Sequence, residues 1–458
     1  MSDLLGSLSM ATRALAAQQT GLNTTGQNIA NVNTPGYARR SVDLVASPPT
    51  DPLSAGTGAD VLAIRAERAG LIEAQLRQEQ PAQGREAAMA DSLSQVETAL
   101  GQPGSSVDAS LTRFFDAFSQ LASDPTSGVT RQQVIMQGQA LSSAFNDAAS
   151  RLASAQRDAD ASVKSGVDQI NALATQIASL NASISGGAAG ASGSEAVRDK
   201  LDVALGALSQ LIDIGVVTEP NGSIDVSVGN GRALVLGGNA YQIGVTPRAV
   251  SGLADLTSGG TVITATVTGG RVGGLVRVRD GLLPGYMTQL DQLASGVATS
   301  VNTAHSAGFD LNGVAGGNFF TPPAGVAGAA SALTVSAAIV ANGKLIAAAG
   351  TATAGDNQNA RNIVNLQRAA LAGGSTNPVD TWGALVYRVG TDTQSAKNDK
   401  AGRDEVVKQL QTIRDQVSGV SLDEEATNMM KFQRAYEANA RYFSAIQTSL
   451  DTLMQMVR

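Results

Sequence analysis

Apolar side chains recur in alternating steps of four and three through the first thirty residues. Leu4, Leu8, Ala11, Leu15, Gln18, Leu22, Thr25, Ile29 and Val32 follow this rule, all of them apolar except Gln18 and Thr25. A stripe this narrow predicts one helix over residues 2–30 with a coiled-coil seam rather than a broad globular face. Its remaining faces carry Gln, Asn, Thr and Ser, and only Asp3 and Arg13 are charged between Met1 and Ala38. A solvated coiled-coil back normally carries Glu and Lys, so the helix is expected to be packed on several sides in its working state. The other chain end repeats the pattern. Leu422, Ala426, Met429, Gln433, Tyr436, Ala440, Phe443, Gln447, Leu450, Met454 and Val457 keep the same steps, apolar but for the two glutamines. Ser421 with Glu424 forms a capping-box signature at the start of this helix. The simplest arrangement pairs the two ends.

Between them the period changes twice. Asn31-Val32-Asn33-Thr34-Pro35-Gly36-Tyr37 is a turn signal, because Pro35 disfavours helix at Thr34 and Gly36 frees the backbone. Residues 41–66 read as extended. Helical patterns follow over 67–100, 107–121, Pro125 to Ile184 and 195–211, separated by short turns, which argues for a bundle. Ile224, Val226 and Val228 then alternate with Asp225 and Ser227 after an Asn221-Gly222 hairpin signal, predicting strands to about residue 279. Helices return near 286–305, 358–372, 380–418 and 422–457, and 308–355 is a Gly/Ala-rich stretch without a clear period. The expected fold is mainly α: a terminal coiled coil (1–37 with 421–458), a long-helix bundle (38–214, 286–307 and 356–420), and an inserted β-rich region (215–285 with 308–355).

Composition narrows the function. The chain has 458 residues, 43% hydrophobic and only 16% charged, against about 25% charged in ordinary soluble domains. Small uncharged residues desolvate cheaply and suit a surface that meets other protein; an alanine-biased genome gives the same composition. The net charge of −7 and the lack of basic runs exclude a nucleic-acid partner. No apolar stretch is long enough to span a membrane. With no cysteine, disulfides, thiolate catalysis and Cys-ligated metals fall away. No secretory signal pattern opens the chain, which fits both a cytosolic protein and one exported unfolded without cleavage.

The segment Asn28-Ile29-Ala30-Asn31-Val32-Asn33-Thr34-Pro35-Gly36-Tyr37 resembles the N-terminal signature of the flagellar axial family of rod, hook and hook-associated proteins. Gln433-Arg434-Ala435-Tyr436-Glu437-Ala438-Asn439 is similar to that family's other end. Three internal motifs resemble its FlgK-type, first hook-associated branch: Ser418-Gly419-Val420-Ser421-Leu422-Asp423-Glu424-Glu425-Ala426, Gly308-Phe309-Asp310-Leu311-Asn312-Gly313, and Gly355-Asp356-Asn357 before a helix. The chain departs from that branch at Asp199-Lys200-Leu201-Asp202, where Asp-Gln-Arg-Asp is usual. It departs again at Gly316 to Val340, a short stretch where many relatives carry an outer domain.

The resemblance implies a structural subunit at the hook–filament junction. Its partners would be further copies of itself in a ring, the hook protein, the next hook-associated protein, and an export chaperone on the C-terminal helix. Its location would be the extracellular flagellum, reached without a cleaved signal. The assembly seam would be Leu4, Leu8, Leu15, Leu22 and Ile29 with Leu422, Met429, Tyr436, Phe443, Leu450 and Val457. The signature turn would be Asn28, Asn31, Asn33, Thr34, Pro35, Gly36 and Tyr37. A lone polar helix of this length is marginal, so both ends are expected to order on assembly.

Candidate chemistry is sparse, and no metal, cofactor or catalytic site is expected. His305 is the single histidine and reads as a helix-end packing residue. Gly269 to Gly274 lacks phosphate-loop spacing and reads as a turn between strands. Asp310-Leu311-Asn312-Gly313 starts like a calcium loop but does not continue as one, and reads as an Asx turn. Asp423, Glu424 and Glu425 suit a helix N-terminus. Three other readings remain: a rod or hook protein, which shares both ends; a glycan hydrolase, which needs two of Asp225, Asp255, Asp280, Asp310 and Glu219 to converge; and a cytoplasmic coiled-coil adaptor.

Overall fold

The computed structural model describes residues 2–47, 58–101, 107–186, 191–353 and 355–456. The first helix, α1 (Ser2–Ala30), leads through the Asn31–Tyr37 turn into an antiparallel hairpin, β1 (Arg40–Ala46) with β2 (Ala59–Ala66). Four helices follow: α2 (Gly70–Leu100), α3 (Val107–Ser123), α4 (Gly128–Ser185) and α5 (Ala191–Leu211). Two small antiparallel sheets come next. One has four strands, β3 (Ile214–Thr218), β4 (Ile224–Val228), β5 (Arg232–Leu236) and β6 (Asn239–Ala240). The other has three, β7 (Ile243–Pro247), β8 (Ala254–Ser258) and β9 (Thr261–Val262). Then α6 (Gly270–Arg277) runs through a π-helical stretch, Val278–Leu282, into α7 (Leu283–Ser306). Short α8 (Ala329–Ala332), α9 (Ala337–Ala341) and α10 (Gln358–Asn365) precede the long α11 (Pro378–Ser418) and α12 (Leu422–Met456).

The 58-residue α4 is the spine, about 87 Å long at the standard rise. Ser127 caps it, accepting the Thr130 N–H. Its first half (Val134, Leu141, Phe145, Leu152) enters one core with α2, α3, α7 and α11. Phe114, Phe118, Phe319 and Phe320 meet edge-on at the centre of that core. Its second half (Val163, Val167, Ile170, Ile177) enters a second core with α5, α6 and the inner faces of both sheets. Asn221-Gly222 forms the expected tight connection between β3 and β4: Gly222 has φ +83° and Asn221 Oδ1 accepts the Ser223 N–H.

Three expectations differ from the structure. The Gly269–Gly274 run is not a turn between strands. β9 ends at Val262, and Gly270 opens α6 with φ +69°. A side chain at Gly270 would fall on the Leu211 and Ile212 backbone, and one at Gly274 on the Arg85 carbonyl. These glycines let α6 lie directly on α2 and the end of α5, a tertiary requirement that looks like turn chemistry in sequence. Residues 308–355, grouped with the strands in the sequence reading, make only isolated bridges. They pack through Phe319, Phe320, Leu333, Ile339 and Ile346 into the bundle core. The helix expected over 358–372 also ends early, at Asn365.

Candidate assembly site at the paired chain ends

α1 and α12 pack along each other. Gly21 lies against the Phe432 ring, where any side chain would collide, and Asn28 meets Glu425. Higher numbers on one helix meet lower numbers on the other, so the pair is antiparallel. α1 buries small or polar residues here, Ala11, Ala17, Thr24, Thr25 and Asn28, because close helix approach leaves no room for larger ones.

The expected seam is only partly the contact. Leu4, Leu8, Leu15, Leu22 and Ile29 are half-buried, as are Met429, Phe443 and Leu450. Leu422 is 52% exposed and Tyr436 36%; Val457 lies outside the described residues. On α12, Glu425 and Phe432 meet α1, three positions on from Leu422 and Met429, and Glu425 and Ile446 are the fully buried residues among those described on the helix. Leu422, Met430, Tyr442 and Met454 of α12 are left exposed, spread around the helix away from this contact.

The signature turn locks the open end of this pair. Asn28, 1% exposed, uses its whole amide. Its Nδ2 donates to the Arg40 carbonyl (2.8 Å) and to Glu425 Oε2 (2.9 Å). Its Oδ1 accepts from Tyr37 Oη (2.8 Å) and from the Arg40 N–H (3.0 Å). Asn31 Oδ1 accepts from Thr34 Oγ1 (3.1 Å), and the Asn31 carbonyl from the Thr34 N–H (2.9 Å). Gly36 has φ +77°, and a side chain there would strike Val203 of α5. Asn33, Thr34 and Pro35 are exposed. Of the signature residues, Asn28, Gly36 and Tyr37 thus make the tertiary contacts.

Three arginines complete the site. Arg39 pairs with Glu425 (2.8 Å) and Glu424 (3.0 Å), Arg40 with Asp199 (3.2 Å), and Arg68 with Glu195, Asp199 and Asp202 (3.2, 2.5 and 3.2 Å). Arg40 also stacks over the Tyr37 ring. By sequence Glu425 reads only as part of a helix start; its pairing with Arg39 spans 386 positions and has no local signal. The unusual Asp199-Lys200-Leu201-Asp202 motif supplies carboxylates that receive arginines from elsewhere. Burial pushes the Asp199 and Asp202 carboxyls up in spite of these arginines, and pushes the Tyr37 phenol up as well.

Of the carboxylates that a hydrolase would need, four are already engaged, Asp255 and Asp280 through one arginine between them. Asp225 accepts the Gly237 N–H, and Asp310 caps its own turn at Asn312 and Val314. Arg248 bridges Asp255 and Asp280, and Asp280 also receives the fully buried Arg279. Burial opposes ionisation of Asp280, but the Arg279 and Arg248 hydrogen bonds overcome it and hold the carboxyl below the usual range; a general acid needs the opposite. His305 is fully buried: its Nε2 accepts the Ala347 N–H (2.9 Å), so Nδ1 carries the proton given to the Gly317 carbonyl (2.7 Å).

Comparison with known proteins follows the same division. The family model described as flagellar hook-associated protein FlgK helical domain matches residues 93–320. Those for the flagella basal body rod protein and the basal body rod FlgEFG protein C-terminal match residues 8–37 and 415–456. The flagellar hook-associated protein 1 of Escherichia coli (strain K12) is 27% identical over 552 aligned positions, covering 100% of both chains. The chain is similar over its whole length to the flagellar hook-associated protein 1 family. The Bacillus subtilis (strain 168) member is 28% identical over 99% of this chain and 98% of its own. A solved hook junction protein FlgK from Burkholderia pseudomallei shares the fold, with TM-score 0.67 at 16% identity over 75% of this chain and all of its own. The 552 aligned positions exceed the 458 residues here, so the Escherichia coli relative carries residues this chain lacks.

Proposed function

We propose that this chain is the hook–filament junction subunit of a bacterial flagellum, a structural component that adapts one helical polymer to the next. The observation that carries the reading is the antiparallel pairing of the chain ends, which leaves large apolar side chains of α12 (Leu422, Met430, Tyr442, Met454) exposed on several sides of the helix. Large apolar side chains exposed in number on one helix suit an interface, and in a homopolymer that interface is heterologous and repeats around an axis. Neighbouring copies would cover it, with the heptad residues Leu4 to Ile29 and Leu422 to Leu450 turned to one another or to the next subunit. Hook protein on one side, the next hook-associated protein on the other, and an export chaperone on α12 before assembly complete the expected partners. The site of action is the extracellular flagellum. The chain acts through interfaces and has no catalytic role, since its inward carboxylates already hold arginines and backbone amides.

A clean deletion strain, viewed by electron microscopy with the medium assayed for flagellin, tests the assignment. Hooks without filaments, and flagellin lost to the medium, are expected. Absent hooks would establish a rod or hook role instead, and normal filaments would end the proposal. Release of fragments from peptidoglycan by the purified chain would overturn the non-catalytic reading.

A further inference from the structure

The paired ends meet the bundle at a narrow waist, where the chain crosses three times: near Tyr37–Arg40, Glu67–Ala69 and Ser418–Ser421. Few backbone ties hold it: the Arg39 N–H to the Ser418 carbonyl (2.9 Å) and the Ala69 N–H to Ser418 Oγ (3.0 Å). The rest is charge. Glu195, Asp199 and Asp202 stand at i, i+4 and i+7 on one face of α5 and clasp Arg40 and Arg68. The clasp is incomplete, because the Nε atoms of both arginines are buried without a hydrogen-bond partner. Beside it lies a cleft of about 700 Å³ lined from both units, by Pro35 and Tyr37 on one side and by Glu73, Arg77, Asp202 and Arg414 on the other. Arg77, one turn beyond Glu73 on α2, lines this space with Asp202 of α5, and neither carboxylate forms an ion pair with it.

We propose that the waist is a charge-set hinge: Arg40 and Arg68 on the α5 carboxylates fix one tilt of the paired ends, and the cleft admits a second tilt in which Asp202 re-pairs with Arg77. Buried ion pairs contribute little net stability and much orientation, and a two-state element needs two sets of partners within reach of one another. Here both sets line one cleft. Packing of Gly36 on Val203 is the pivot, since it lies at the turn and carries no charge.

The absence of cysteine makes the test direct. Spin labels at Asn23→Cys on α1 and Thr175→Cys on α4, both exposed, report the tilt as a distance distribution. One narrow peak is expected at low salt. Arg40→Gln with Arg68→Gln should add a second peak and roughly double the overall width, and adding Arg77→Gln should remove that second peak. Should the double variant lose helix by circular dichroism, the unaltered waist decides: a roughly tenfold rise in NaCl must bring out the second peak. A broad distribution at low salt, or a single peak unchanged by both salt and the double variant, overturns the hinge; a second peak that survives Arg77→Gln overturns the re-pairing.

Discussion

Asn28 donates its side-chain amide to Glu425 across 2.9 Å of space and 397 positions of sequence. The same amide serves Tyr37 and both backbone groups of Arg40, so one side chain fixes the helix end, the turn, the hairpin start and the partner helix. Asn28→Ala strands several buried groups at once, at about 1–3 kcal/mol for each one left unpaired. The expected outcome is faster amide exchange over Ala38–Arg40 and the first turns of α12, with exchange in α4 unchanged.

Gly36→Ala combines two penalties, a side chain at φ +77° and a collision with Val203. Val203→Ala relieves only the collision. The pair of variants should therefore recover part of the loss seen in Gly36→Ala alone, leaving about 1 kcal/mol of left-handed strain. Full recovery in thermal unfolding would show that backbone conformation at this turn carries no cost.

His305 makes stability pH-dependent with a definite sign. Burial drives its pKa from 6.5 down to about 4, so the native state binds fewer protons than the unfolded one. The contribution is present above pH 6.5 and is lost as pH falls toward 4, amounting to about 3 kcal/mol at the acid end. Urea unfolding across this window should weaken toward acid, and His305→Gln should flatten that slope.

Exchange protection in the free chain should fall from the Asn28–Glu425 end toward Ser2 and Met456. Beyond the polar lock, α12 fully buries only Ile446 among its described side chains and leaves Tyr442, Leu453, Met454 and Met456 exposed, and a helix with so little burial frays. Uniform protection along α12 before assembly would contradict this. The same segments should become protected in assembled flagella.

Leu15→Asp and Leu450→Asp each place a charge on a half-buried position of the terminal pair while touching neither core. Export should continue and the bundle should unfold at an unchanged temperature, but incorporation into flagella should fail. Normal incorporation of both variants would remove the terminal heptads from the assembly surface.

The sequence alone determined the helices at both ends, the bundle, the extended character of residues 41–66 and the strands after Asn221-Gly222, because each is written in consecutive residues. It also marked the Asn28–Tyr37 turn, since proline and glycine constrain the backbone by their own chemistry. Tertiary structure decided the rest. Which side of α12 meets α1 was decided by close approach at Gly21, which seats Phe432, and by the Asn28–Glu425 bond, rather than by the heptad row beginning at Leu422. The glycines at 270 and 274 look like a turn until α2 and α5 are seen pressed against them. Residues 308–355 have no period because their side chains fill gaps left by helices distant in sequence. Arg39 and Glu425 became partners only when the chain ends met, and Arg40 and Arg68 met Asp199 only when the hairpin reached α5, since a charge carries no sequence mark of the opposite charge that folding brings beside it.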